Sequence, residues 1–427
     1  MSPSEPVSPD VALGELGALL LDSGVSVTDV RGTLERVRDA AAPRQDLAFA
    51  VLPEHVLVSR PGVPGATTVA SGDGSDLTFR QSAHASRLAR RLEAGQVELD
   101  LVPSHVAHIR GIPRRRPVLQ RTLGGALLAS GLAVLFRCPW WAVLLALVVG
   151  ALVSAIVIAT DRVRAAAAVV PFLAALVSTL TVGVVADRLD LGAVPLFAVC
   201  APVALLVPGA LITNALLELT AADIVTGASR LMYGLIMLGF MAAGIFTGAA
   251  VTGLRVDPRS AALVGETSLV TGHGGWEAVP PLWLSPFGVV VLAIGIGLSF
   301  GSGFRLTVGT IVVMLCTYGA LMVLSPFLGS TVATGVTAGL LFLAARVLER
   351  VTLAVPATVS FQPAFLLLVP GTVGLVALAS FDAQALAAAP MVFLSLCIGT
   401  KVGALVADAL RITRPIPAVT GSIRVIR

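Results

Sequence analysis

The sequence predicts an all-α polytopic membrane protein with ten transmembrane helices in a 5+5 inverted repeat, preceded by a small N-terminal α+β cytoplasmic domain. The first reason is composition, since 56% of the 427 residues are apolar and only 13% are charged. The second is a series of ten long apolar segments after residue 116. The third is the string Leu-Leu-Val-Pro-Gly, which occurs at 205–209 and again at 367–371. Such paired helix interruptions in two halves of a membrane protein are typical of transporters.

Charge and cysteine usage exclude several other classes. The formal net charge is only +4, and the basic excess lies beside the membrane segments, so no basic face indicates a nucleic-acid partner. The cysteines show no close pairing pattern, and we interpret them as small buried thiols, neither zinc ligands nor a disulfide framework. They are Cys138, Cys200, Cys316 and Cys397. We therefore expect no metal and no cofactor.

The N-terminal domain is expected at residues 10–116, after a Pro/Ser-rich tail at 1–9 that we expect to be disordered. No signal peptide is predicted, because the leucine run at 19–21 is short and has acidic flanks. Apolar periodicity and turn residues predict the order helix, helix, hairpin, strands and helices. Their expected bounds are 10–22, 27–42, 47–52 with 55–58, 67–70 with 76–80, 82–93 and 104–109.

The N-terminal domain shows no pattern that indicates catalysis. It contains no nucleophile paired with a base, no phosphate loop and no paired carboxylates. His105 and His108 lie at helical i, i+3 spacing and could share a metal, but no third ligand is near, so two exposed histidines are favoured. We therefore predict that the protein is not an enzyme and has no catalytic residues.

Ten apolar segments follow the N-terminal domain, and each is long enough, or nearly so, to cross ~30 Å of hydrocarbon as a helix. They lie at 119–136, 139–159, 165–186, 191–217, 228–252, 283–300, 304–324, 327–345, 356–380 and 389–409. The predicted organisation is a first five-helix unit at 117–252, an extracytoplasmic linker at 253–282, a second unit at 283–410 and a cytoplasmic basic tail at 411–427.

The arginines predict the orientation of these segments. With the N-terminal domain on the cytoplasmic side, fifteen arginines beside the spans face the cytoplasm and only four face outside. The four are Arg137, Arg188, Arg255 and Arg259. This bias follows the positive-inside rule and predicts that both termini are cytoplasmic.

The two Pro-Gly pairs fall in the fourth span of each predicted half, and an odd number of spans per half makes the halves inverted. Proline removes a backbone donor, which lipid tolerates only where neighbours or a water-filled cavity satisfy the freed carbonyls. One pair alone would favour a packing kink, but because the whole string is repeated we interpret the pairs as broken helices around a midplane substrate site. The expected site residues here are Pro208, Gly209, Pro370 and Gly371, with hydroxyls from Thr213 and Thr372.

Three further polar residues belong to the predicted site. Lys401, the only lysine, lies within the tenth span, where a charge costs at least ~2.5–3.5 kcal/mol. It could bind a substrate carboxylate, take part in proton coupling, or extend to the cytoplasmic interface. Asn214 and Glu218 follow the first break on one helix face, and Glu218 is either a proton carrier or amine ligand, or simply the end of the helix.

Small residues at i, i+4 spacing predict close helix packing within the bundle. The pairs are Gly244 with Gly248 and Gly335 with Gly339. Such pairs let two helices approach closely in a membrane. We interpret them as packing contacts without a further function.

Taken together, these residues resemble the threonine/serine exporter family of bacteria. The resemblance lies in 19–24 and the helix after it, in 207–230 with Pro208, Glu218 and Arg230, and in 356–371. It implies secondary active export of L-threonine and L-serine, driven by the proton gradient, across the bacterial cytoplasmic membrane. The implied partners are the amino acid, protons and membrane lipid, and the sequence also allows a homo-oligomer.

Two other classes of function were weighed against export. An intramembrane enzyme would need a nucleophile-base pair or a metal constellation within the spans, and the sequence shows neither. A membrane scaffold or sensor, in which the N-terminal domain carries the activity, is the alternative to a transporter.

Overall fold

The computed structural model describes residues 7–63, 65–72, 77–114, 116–161, 169–257, 275–352, 363–364, 367–368 and 383–410. The fold is mostly helical, at 76%. The described residues form two hydrophobic cores, one built by residues 12–109 and one built by the long apolar helices.

The first core belongs to four helices and a three-stranded antiparallel sheet. The helices are α1 (Pro9–Asp22), α2 (Val27–Ala41), α3 (Phe79–Glu93) and α4 (Val102–Arg110), and the strands are β1 (Ala48–Val51), β2 (His55–Ser59) and β3 (Thr67–Ser71), in the order β1-β2-β3. The predicted hairpin is confirmed, with Val51 opposite Val56. Helix α1 lies in the centre, where a side chain on Gly17 would meet Val56 at 2.9 Å.

The strand predicted at 76–80 is wrong, because Phe79 and Arg80 begin α3. Thr78 caps this helix by accepting a hydrogen bond from the Gln81 amide, while the Gln81 side chain accepts one from the Thr78 amide. This reciprocal capping box satisfies two amides of the first turn, and it outweighs the short apolar alternation that suggested a strand.

The long apolar helices form the second core. They are α5 (Pro117–Leu135), α6 (Trp140–Thr160), α7 (Val170–Arg188), α8 (Leu196–Cys200), α9 (Gly209–Thr220), α10 (Ile224–Thr252), α11 (Ser285–Ser299), α12 (Phe304–Leu328), α13 (Ser330–Thr352) and α14 (Ala383–Ala409). A two-residue parallel pair, β4 (Ala193–Val194) with β5 (Arg255–Val256), joins the segment before α8 to the segment after α10.

Eight helices of the described part are long and apolar enough to cross a membrane, or nine if one bent pair counts as a span. The protein is therefore a polytopic membrane protein, as predicted. Most of the predicted segment 356–380 lies outside the described residues, so the number ten stays a prediction. Within that segment Ala364, Leu367 and Leu368 are buried in the second core.

Three of the four cysteines are buried thiols as predicted, and all four are free. The prediction is wrong for Cys316, which is exposed on α12. It lies on the outer face of that helix beside Val312, a face suited to lipid. Apolar context in the sequence therefore indicated the span correctly but not which side of the helix faces outward.

Helices α5 and α11 cross at glycines and run antiparallel. A Cβ on Gly131 would meet the Gly288 carbonyl oxygen at 2.8 Å, and one on Gly295 would meet the Gly124 oxygen at 2.8 Å. The contacting residue numbers rise along one helix as they fall along the other. We call this contact the α5–α11 seam, and it brings the first helix of each predicted half against the other.

Two further glycine contacts join parallel helices. Along α7 and α10, a Cβ on Gly248 would meet Thr179 Cβ at 2.7 Å. Along α13 and α14, a Cβ on Gly339 would meet the Gly399 oxygen at 2.6 Å, and one on Gly403 would meet the Gly339 oxygen at 2.5 Å. Both predicted glycine pairs therefore make close helix contacts, and the same kind of contact recurs in each half.

Candidate functional site

The fourth apolar segment is broken where the sequence predicts it. Helix α8 continues as a 3₁₀ turn, Ala201–Leu206, then Val207 is extended, and α9 starts at Gly209. The two parts are bent by 70°. Proline explains the position of the break, since Pro208 lacks an N–H and disfavours helical conformation at the residue before it.

The break is buried in the second core and carries unsatisfied polar groups. Val207 and Pro208 are buried. The Gly209 amide donates to the Val207 carbonyl at 2.8 Å and the Ile212 amide to the Pro208 carbonyl at 3.0 Å. Among the described residues, the amides of Ala210 and Leu211 have no main-chain acceptor, and they lie at the positive end of the helix dipole. Thr213, one turn further on, is 4% exposed. Its hydroxyl has no hydrogen-bond partner among the described residues. The arrangement therefore offers amides and a hydroxyl to an anionic or zwitterionic ligand.

The second copy of the string is only partly described. Leu367 and Leu368 are helical and buried in the same hydrophobic core as Val207 of the first copy and Val203 just before that copy. Pro370, Gly371 and Thr372 lie outside the described residues, so their predicted role stays a prediction. The described residues of both stretches therefore belong to one hydrophobic core.

Glu218 and Asn214 face the N-terminal domain. The Glu218 side chain is fully buried, and its Oε1 accepts from the Val27 amide at 3.1 Å and pairs with the Arg230 guanidinium. Oε2 has no hydrogen-bond partner among the described residues. Asn214 Nδ2 donates to the Gly24 carbonyl at 3.0 Å. The carboxylate is thus sealed between α9, α10 and the start of α2.

Further polar contacts extend this junction at the corner between α9 and α10. Asp223 accepts from Thr28 Oγ1 at 2.5 Å and pairs with Arg31 at 3.1 Å. Asp29 lies 3.5 Å from Arg346 of α13. We call residues 24–31 and their partners Asn214, Glu218 and Asp223 the latch.

An apolar contact lies elsewhere on the same domain junction. The Phe79 and Phe300 rings stack with centroids 5.1 Å apart, and the Phe79 amide donates to the Phe300 carbonyl at 2.9 Å. Arg114 donates to the Ser299 carbonyl close by. Burial and the nearby charge of Arg121 lower the pKa of Arg114, and its position holds the end of α11 against the entry to α5.

Sequence reasoning selected Asn214 and Glu218 but missed what they contact. Glu218 contacts the Val27 amide and Asn214 contacts the Gly24 carbonyl, both main-chain groups about 190 residues away. No pattern of side chains in the sequence predicts these contacts. The one available signal was the start of α2 after the turn Ser23-Gly24. Ser26 caps this helix by accepting from the Asp29 amide, and such a cap leaves other amides of the first turn free to bind a carboxylate.

Lys401 lies in α14 beside the contact with α13. Its side chain is half-buried, and Thr400 next to it is buried. Gly399 and Gly403 on either side make the close contacts with Gly335 and Gly339. This position fits both predicted roles of Lys401, a side chain that reaches the bundle interior and one that extends to the interface.

The two histidines of α4 lie in different surroundings. His108 is exposed as predicted and lines a cavity of about 450 Å³ with Arg80, His84 and the segment 111–113. His105 is half-buried rather than exposed and is not part of that lining. Burial and the positive charges of Arg87, Arg80 and His108 lower the pKa of His84. Within the described ranges no cluster of three or more potential ligands could hold a metal ion.

Comparison with known proteins identifies one family. The family model of ThrE, described as threonine/serine exporter, matches residues 12–252, more than half of the 427 residues. The match includes α1 to α10 and therefore both sides of the latch and the first break. No curated protein and no solved structure matches the chain.

Proposed function

Because the chain belongs to the threonine/serine exporter family, we propose that it is a secondary active exporter of L-threonine and L-serine, coupled to protons. The substrate site lies at the bilayer midplane, where α9 begins. The observation that carries this proposal is the buried break at Pro208 and Gly209, followed by the unpartnered hydroxyl of Thr213.

The chemistry of the break suits a small hydroxylated zwitterion. The first amides of α9 favour the substrate carboxylate, as helix N-termini do for anions. Pro208 supplies no N–H to the preceding turn, so carbonyl oxygens there are available to the substrate ammonium. Thr213 can exchange hydrogen bonds with the hydroxyl that threonine and serine share.

The helix contacts support an inverted repeat. The first helices of the two halves, α5 and α11, are antiparallel, whereas α7 with α10 and α13 with α14 are parallel. Parallel α13 and α14 need the chain between 352 and 383 to return across the membrane, and the sequence predicts the span 356–380 there. This arrangement supports a second interrupted helix opposite the first, as in inverted-repeat transporters.

The proposed setting is the bacterial cytoplasmic membrane, with both termini in the cytoplasm. Its support is the arginine bias, which favours the side of the N-terminal domain. The latch then lies on the cytoplasmic side, where α9 ends.

Transport by the purified protein tests the proposal. We expect proteoliposomes loaded with labelled threonine or serine to release it when a pH gradient is imposed, and a protonophore to abolish the release. Labelled leucine, which lacks the hydroxyl, is the substrate control. No flux of either hydroxylated amino acid above protein-free liposomes contradicts the proposal and favours a scaffold or sensor.

Lys401→Met is expected to reduce efflux at low substrate concentration by roughly 10- to 100-fold, because it removes a charged hydrogen bond worth about 1.5–3 kcal/mol. The variant should reach the membrane in normal amount, since methionine fits the helix and the apolar surroundings. Lys401→Arg, which keeps the charge, is the matched control and should retain more flux. Wild-type efflux in the methionine variant would show that Lys401 only extends to the interface.

A further inference from the structure

We propose that the N-terminal domain is the cytoplasmic gate of the transporter, and that the latch must open and close in each transport cycle. This inference rests on the proposed export function and assigns a role to the domain. It starts from the contacts of Glu218, Asn214 and Asp223 with the segment 24–31.

The Glu218 carboxylate holds the latch closed by electrostatic attraction to the N-terminus of α2. Val27 is the first residue of α2, so the Glu218 carboxylate lies at the positive end of that helix. Arg230 of α10 shares the same oxygen. If α2 moved away, the buried carboxylate would lose the Val27 amide, one of its two donors. Leaving it with a single donor costs free energy, so the closed position, with α2 packed against α9, is favoured.

A single rigid helix connects the latch with the break. α9 spans only Gly209–Thr220, about 18 Å at the helical rise per residue. Its first residue follows the break, and Glu218 lies two residues before its last. A change of tilt at Pro208 therefore moves Glu218, and a closed latch holds the tilt of α9.

The remaining contacts are of a kind that can separate. Arg31 is 38% exposed and its partner Asp223 16%, while Asp29 is 52% exposed and its partner Arg346 29%. Ion pairs that water reaches contribute little stability. The N-terminal core at 12–109 is separate from the membrane core, so the domain keeps its own apolar interior when the latch opens. Phe79 stacked on Phe300 gives the domain a second point of attachment.

A reversible cross-link across the latch tests the gate. Thr28→Cys with Asp223→Cys, in a Cys316→Ser background, is joined by a short bis-methanethiosulfonate reagent in proteoliposomes. We expect cross-linking to lower threonine efflux at least tenfold and reductant to restore it. Each single-cysteine protein should show the same flux before and after the identical treatment, because it cannot join the two sides.

The outcomes separate the gate from the export function. Full-rate efflux by the cross-linked protein overturns the gate and leaves the exporter intact. No threonine or serine flux in the wild type overturns the export function and the gate with it. Loss of flux that reductant restores supports both.

Hydrogen exchange provides a readout that does not depend on transport. Glu218→Gln removes the charge that Arg230 and the α2 dipole favour, so we expect amide exchange in the segment 24–31 to rise severalfold. Glu35→Gln, which changes an exposed residue of α2, should leave that exchange unchanged. Equal protection in both variants would contradict an electrostatic latch.

Discussion

Replacing Pro208 and Gly209 together by alanine is expected to lower threonine and serine efflux to a tenth or less of the wild-type rate. The double change restores a backbone N–H and favours a continuous helix by about 4 kcal/mol, from ~3 for proline and ~1 for glycine. Straightening would remove the 70° bend, and with it the free amides at the start of α9. The measurement is proteoliposome efflux at equal protein density.

The double variant should still fold, because the added side chain has room. A Cβ on Gly209 would meet no atom within 4 Å, so any loss of transport comes from the changed backbone rather than a clash. Gly239→Ala, at an equally open position within α10, is the control and should keep its efflux. Wild-type efflux in the double variant would mean that the break is a packing kink.

The sequence predicted those features that depend on local chemistry. A proline followed by glycine strongly disfavours a continuous helix, and small residues at i, i+4 mark close helix contacts. The break at Pro208 and the contacts of Gly248 and Gly339 could therefore be located in advance. The hairpin between β1 and β2 was also readable, because alternating apolar residues and a short turn favour it locally.

Long-range contacts through the main chain could not be predicted. Glu218 binds the Val27 amide. Because every residue except proline has a main-chain amide, the residue type at position 27 does not reveal that contact. The start of α3 was misassigned for a related reason: the capping box of Thr78 with Gln81 competes with apolar alternation over the same few residues. The role of Lys401 depends on which side of α14 it reaches, and periodicity within an apolar helix does not determine that.

Replacing Gly131 by leucine is expected to force α5 and α11 apart at the α5–α11 seam. Any Cβ there would meet the Gly288 oxygen at 2.8 Å and the backbone of Leu292, and backbone atoms cannot move aside as a flexible side chain can. Overpacking a well-packed core costs about 1–3 kcal/mol, and more when backbones must separate. We expect Gly131→Leu to lose most of the monodisperse protein in detergent and to lower Tm of the remainder by several degrees.

Gly319→Leu is the matched control for the seam, because a Cβ at Gly319 on α12 would meet nothing within 4 Å. It should leave the yield and Tm close to those of the wild type. Size-exclusion chromatography and thermal unfolding of both variants give the comparison. If Gly131→Leu is as stable as Gly319→Leu, then α5 and α11 do not pack through glycine. The antiparallel contact between the halves, on which the inverted repeat rests, would then be wrong.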